Sequence, residues 1–346
     1  MIKKRILSML VLLAAVVTGA WAQTYKVSLK DGTEDASNWQ GKAGEGEYQA
    51  LPLEGVAAGT AVSVKYNGTK KVKSVKAVKA AQADPMLAVP LTIEAITAGS
   101  INVVHPMDGM KFSLDGGATK TAVTTTTGNI ALNVGDKVQF YGNGTSITCY
   151  GSSSWDDCTM IKGSGEGFTC KVYGNIMSLL DEENFATATT LSEYTFKSLF
   201  LRNPTLTDAS GLLLPATQLQ ESCYEQMFFE CTALTAAPAL PATQLAAHCY
   251  ESMFNGCSAL TAAPVLPATN LVMYCYYAMF NCCSKLATVT CLATSGINQD
   301  YSTSYWLNGA GSDVQDTKTV NTVSTANWPS GDNGIPTGWT NQGTVL

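Results

Sequence analysis

Three consecutive stretches decide how this chain is read: LPATQLQESCYEQMFFECTALTAAPA at 214–239, LPATQLAAHCYESMFNGCSALTAAPV at 240–265 and LPATNLVMYCYYAMFNCCSKLATVTC at 266–291. They superpose without a gap at a period of 26 residues, within the range of stacked repeat units. A degenerate copy precedes them, because Leu191, Phe196, Leu199, Phe200 and Leu206 fall 28 residues before Leu219, Tyr224, Met227, Phe228 and Leu234. An insertion around Gly211, Leu212 and Leu213 accounts for the two extra residues.

Inside one copy, Cys223, Tyr224, Met227, Phe228 and Cys231 have the spacing of one short amphipathic helix turned toward a core. Leu234 and the Leu-Thr-Ala-Ala stretch, ended by Pro238, predict an extended segment, since the residue before a proline is pushed away from helical geometry. A unit this short cannot bury its own apolar side chains, so the copies are expected to stack into a continuous core capped at both ends.

The pattern Cys-Tyr-x-x-Met-Phe-x-x-Cys-x-x-Leu-Thr, with Leu-Pro-Ala-Thr between copies, resembles the BspA-like leucine-rich repeats of exported proteins from Gram-negative gut and oral bacteria. The tail, with Asn327-Trp328-Pro329-Ser330-Gly331 and Gly334-Ile335-Pro336-Thr337-Gly338-Trp339, is similar to the closing segment of such proteins. Met-Phe stands here where the better-known units have Ala-Phe. The resemblance covers about residues 190–339 and implies adhesion to host proteins or to other cells.

The N-terminus reads as a secretory signal peptide: Lys3, Lys4 and Arg5, then an apolar run from position 6 to 17, then Ala20-Trp21-Ala22. That run is too short to span a bilayer, and Gln23 stands where a lipoprotein would have its cysteine. The chain is therefore expected to be exported, to the cell surface, periplasm or medium, with no transmembrane segment after cleavage. Residues 23–81 predict a small β domain and 82–88, with Asp84-Pro85, a linker. Residues 89–184 hold short strand-like runs at 91–96, 101–104, 110–114, 138–141 and 168–173, separated by glycine-rich turns, which favours a β-sandwich-like domain. The expected fold class is thus multidomain: β-rich N-terminal domains, then an α/β leucine-rich-repeat solenoid over 185–292 and a C-terminal capping segment over 293–346.

The formal net charge of −6 argues against nucleic acid, whose phosphates reward clustered lysine and arginine. One basic stretch exists, with Lys65, Lys70, Lys71, Lys73, Lys76 and Lys79 flanking the hairpin signal Asn67-Gly68. Lysines guarding a strand edge are the simpler reading than a polyanion site. Among eleven cysteines, Cys223, Cys249 and Cys275 form one column and Cys231, Cys257 and Cys283 another. Bridges between stacked copies are geometrically allowed, but a small buried thiol filling each copy is simpler. An odd count leaves at least one thiol free in a monomer, and a pair among Cys149, Cys158 and Cys170 is the best disulfide candidate.

No catalytic, cofactor or metal site emerges. Cys282, Cys283 and Cys291 are close in sequence but no Cys-x-x-Cys pair exists, so zinc ligation lacks its spacing. His248 occupies a repeat position held by Ser222 and Tyr274 in the other copies, and His105 falls at a strand end, which leaves a Cys–His nucleophile pair unsupported. The acidic clusters Asp156-Asp157 and Asp181-Glu182-Glu183 read as solvated turns, and the glycines at 163, 165 and 167 lack the helix that a dinucleotide loop needs. The leading function is protein binding or adhesion. The third copy is richest in aromatics, so Tyr274, Tyr276 and Tyr277 form the candidate contact patch. A glycan is the second partner class, through the middle β domain with Trp155 beside Asp156-Asp157, and a structural surface scaffold is the third reading.

Overall fold

In a computed structural model, the described residues are 24–27, 39–43, 47, 49–50, 53–57, 62–66 and 85–343, without 125–126, 145–148, 150–157 and 324–327. The signal peptide, the Asn67-Gly68 turn with the lysines beyond it, and the Trp155-Asp156-Asp157 group lie outside the described residues. The chain divides into two compact units, 1–84 and 85–346. In the first, β1 (Thr24–Val27) pairs antiparallel with β4 (Leu53–Ala57), and β2 (Trp39–Ala43) lies between β3 (Gln49–Ala50) and β5 (Val62–Tyr66).

The second unit opens with β6 (Thr92–Ala95), β7 (Gly99–Val104), β8 (Lys111–Ser113), β9 (Thr121–Ala122), β10 (Asn129–Leu132), β11 (Lys137–Tyr141), β12 (Met160–Ser164) and β13 (Cys170–Asn175). Alternating burial along β10, β11 and β13 puts every second side chain into the core, as a half-buried sheet requires. One sheet runs β10-β7-β12; the other runs β13-β6-β11-β8-β9 and gains a parallel edge strand, β14 (Leu206–Leu213), from the first repeat copy. That shared edge joins the β region to the repeats through one hydrophobic core. A disulfide links Cys149 to Cys158. Later strands β15 (Thr288–Cys291), β16 (Lys318–Thr322) and β17 (Trp339–Asn341) form a parallel sheet at the other end of the repeats.

The α/β leucine-rich-repeat solenoid expected from the sequence is not what the chain forms. The described residues contain no α-helix, and the strands fall into separate small sheets, none of which runs through the copies. The stretch from Cys223 to Cys231, expected to be helical, falls in a run of overlapping turns over 221–230. The reason lies in where the backbone N–H groups go. Odd-numbered residues donate locally, Glu225 to Ser222, Met227 to Tyr224 and Phe229 to Gln226, while even-numbered ones donate to the next copy. Tyr224 reaches the Cys249 carbonyl, Gln226 that of Glu251 and Phe228 that of Met253, at 2.8–3.0 Å. A helix would spend all these donors within itself. Ser222, Gln226 and Glu230 take positive φ of 54–56°, and His248, Ser252 and Gly256 repeat the pattern.

This arrangement lays like side chains over like. Phe200, Phe228, Phe254 and Phe280 stack with ring centroids 5.3, 5.5 and 5.6 Å apart, and Phe196, Tyr224, Tyr250 and Tyr276 form a second row at 6.0, 5.8 and 6.2 Å. Cys231, Cys257 and Cys283 each donate their thiol to the phenylalanine carbonyl of the preceding copy, at 3.0–3.1 Å. These cysteines are small, buried and unbridged, and burial pushes Cys231 up to about 12. A further coil follows Cys291, because Asp300, Ser302, Ser304, Trp306 and Asn308 accept from the third copy just as the earlier copies accept from one another.

Truncating Phe254 to alanine opens a cavity in the middle of the row and should cost about 3–5 kcal/mol in denaturant unfolding. The hydroxyls of Tyr224, Tyr250 and Tyr276 are buried with no hydrogen-bond partner, so Tyr250→Phe should leave stability unchanged or raise it by about 1 kcal/mol. A marked loss in Tyr250→Phe would show that its hydroxyl is satisfied. Of the nine free thiols only Cys282 is exposed, so the native protein should titrate one fast thiol with a disulfide reagent and lose it in Cys282→Ser.

Candidate binding site

The outer edge of the turn ribbon carries the candidate site. Among the residues with positive φ, one repeat position carries His248 and then Tyr274, with Tyr301 beside the next coil's equivalent, and none of these three is in the buried aromatic rows. Their rings stack in a row, with His248 to Tyr274 at 4.8 Å and Tyr274 to Tyr301 at 5.0 Å. A second file meets it edge-on, since Tyr277 lies 5.3 Å from Tyr274 and 5.9 Å from Tyr305. Tyr301 is 58% exposed, Met273 44% and Tyr305 41%, which makes this a continuous surface ledge of large side chains.

Of the three tyrosines singled out by sequence, Tyr274 and Tyr277 lie on the ledge, half-buried. Tyr276 does not: it is fully buried in the second aromatic row, because neighbouring residues of the ribbon face opposite ways. His248, Tyr301 and Tyr305 were missed as ledge residues. A signal for the tyrosines exists, because Tyr301 and Tyr305 fall 27 and 28 residues after Tyr274 and Tyr277, close to the repeat period.

Charge borders the ledge on one side. Glu225 and Glu251 hold the same repeat position as Tyr277. Lys197 Nζ pairs with Glu225 at 2.9 Å in nearly full burial, and His248 Nδ1 sits 2.6 Å from Glu251 Oε2. Burial raises the Glu251 carboxyl above the ordinary glutamate range; the hydrogen bond to His248 opposes this, and the like charge of Glu225 adds to it. Burial and Glu251 likewise raise the phenol of Tyr277.

The remaining sequence candidates have structural partners. Glu182 bridges Lys111 at 2.6 Å and Lys120 at 2.8 Å, which lowers its pKa, and Asp181 accepts from the N–H groups of Glu183 and Asn184. His105 is exposed at the end of β7. Burial lifts the thiols of Cys223, Cys275 and Cys291 to about 12, far from the depressed values of a reactive cysteine. Among the described residues no three His, Cys, Asp or Glu side chains converge on a metal position, and no helix is long and apolar enough to cross a membrane.

Because Glu251 holds its proton more tightly folded than unfolded, it contributes most at low pH. That contribution falls as pH rises from the ordinary glutamate range through the raised value. Glu251→Gln should therefore flatten the stability profile across that window, measured by urea midpoint against pH; an unchanged profile would show that Glu251 does not titrate abnormally. No family model matches the chain, and no curated protein or solved structure matches it either, so what the ledge binds is read from its own chemistry.

Proposed function

We propose that this is an exported binding protein that attaches to a protein partner on a host or bacterial surface through the ledge of Tyr274, Tyr277, Tyr301 and Tyr305, with no catalytic role. The observation that carries this reading is the exposed stack of tyrosines held on backbone-bonded coils. Tyrosine offers large contact area at little entropic cost and is enriched at the energetic centres of interfaces. The resemblance to BspA-like repeat proteins points the same way. With a chain net charge of −6, a partner presenting lysine or arginine is favoured. A cation over a tyrosine face adds about 0.5–1 kcal/mol at an exposed site.

The test places a photo-crosslinking residue in the mature chain at position 301 and, as control, at exposed Thr243 on the Leu-Pro-Ala-Thr side. Adducts to a cell-surface protein should form from 301 and not from 243. Tyr274→Ala combined with Tyr305→Ala should lower cell-surface binding at least about tenfold, as loss of interface hot spots does. Equal crosslinking from both positions, or native binding by the double variant, would sink the proposal.

A further inference from the structure

The closing segment builds a second concavity that the tyrosine ledge does not use. A cleft of about 340 Å³ lies against β17, walled by Trp328, Ile335, Pro336 and Trp339, with Ser330 and Thr337 at its rim. Its size is at the lower end of small-ligand pockets, about 300–1,000 Å³. The walls are fixed from behind. Trp328 stacks on fully buried Trp306 at 5.2 Å, and the Trp306 indole N–H donates to the Gly334 carbonyl. The intervening loop closes on itself, with Gly331 donating to Ile335 and Ile335 to Pro329, and a Cβ on Gly334 would come within 2.0 Å of the Pro329 carbonyl. Only glycine fits there, so the loop is held tightly against the cleft.

We infer that this cleft binds a neutral saccharide, one ring or a short chain, by stacking on Trp328 and Pro336, the partly exposed parts of its wall. None of the lining side chains is ionisable, which disfavours an anion, a cation or a metal and suits an uncharged ligand. Ser330 and Thr337 are exposed at the rim, and a hydroxyl both donates and accepts, as a sugar hydroxyl does. A proline-rich peptide is the other occupant of a tryptophan-lined groove, but it offers chiefly carbonyl acceptors and needs donors. The Trp328 Nε1–H is buried from solvent, which leaves such a peptide only the rim side chains of Ser330, Thr337 and Asn341 as donors. This inference is independent of the tyrosine ledge.

The mature chain should be titrated at millimolar concentration with neutral hexasaccharides, β-1,4-glucan, α-1,4-glucan, β-1,4-mannan and β-1,4-xylan, and separately with polyproline, reading tryptophan emission and calorimetric heat. At least one hexasaccharide should shift the emission and release heat. Trp328→Ala should abolish both signals. Because that change also removes a partner of Trp306, the exposed pair Ser330→Ala with Thr337→Ala serves as the fold-neutral variant. It should weaken binding about fivefold or more, the loss of one to two hydrogen bonds. Silence from all four saccharides, a response to polyproline alone, or native affinity in the Ser330/Thr337 variant would overturn the assignment.

Discussion

Within the turn ribbon of each repeat every second backbone N–H points out of its own copy and into the next, and the architecture of residues 190–310 depends on that division. A coil whose donors were all consumed internally would touch its neighbours through side chains alone. Here each copy is hydrogen-bonded to the next as strands in a sheet are, yet it is made of turns. The geometry requires a left-handed residue at every fourth position, and for non-glycine residues such conformations cost of order 1–3 kcal/mol each. The stacked phenylalanine and tyrosine rows, sealed from water, offset that cost. Cysteine completes the packing, being small enough to sit under the ring and able to donate weakly to the phenylalanine carbonyl.

A stack of this kind needs something at both ends. At one end the degenerate copy supplies β14 to the middle sheet and its Leu199 carbonyl to Ile161, so the β region serves as a wall for the coils. At the other, the coil around Trp306 receives the last set of inter-copy bonds, and the loop carrying Trp328 closes over it. The two candidate binding features both arise at this second end. The tyrosine ledge exists because left-handed positions of successive coils happen to carry aromatic rings, and the fixed coil spacing brings those rings to stacking distance. Rings mounted this way lose little freedom on binding, which is what a contact surface gains from a rigid backbone.

Much of this was legible from the chain alone. The period, the aligned phenylalanines, the buried cysteine columns and a disulfide somewhere among Cys149, Cys158 and Cys170 follow from spacing and residue size, while which two of those three are joined does not. The expected strands at 91–96, 101–104, 110–114, 138–141 and 168–173 each overlap β6, β7, β8, β11 and β13. The helix was not legible as an error, because Tyr224 with Phe228 and Met227 with Cys231 are four apart. Over nine residues that spacing fits a helix of 3.6 residues per turn as well as a ribbon of four-residue turns. Tyr276 was misplaced for the same reason, since the face a residue shows depends on which of those two backbones carries it. The further coil after Cys291 was hidden because, apart from Trp306 standing one period after Phe280, it keeps few of the repeat's side chains. It retains the backbone bonds, which sequence does not display.

The central claim is the direction of those bonds, and scalar couplings across hydrogen bonds, measured by NMR on deuterated protein, read it directly. The account expects the amide nitrogen of Phe228 to couple to the carbonyl carbon of Met253, and that of Tyr224 to the carbonyl carbon of Cys249, each in the next copy. Coupling of Phe228 instead to the carbonyl of Tyr224, four residues back in its own copy, would mean a helix and would contradict it.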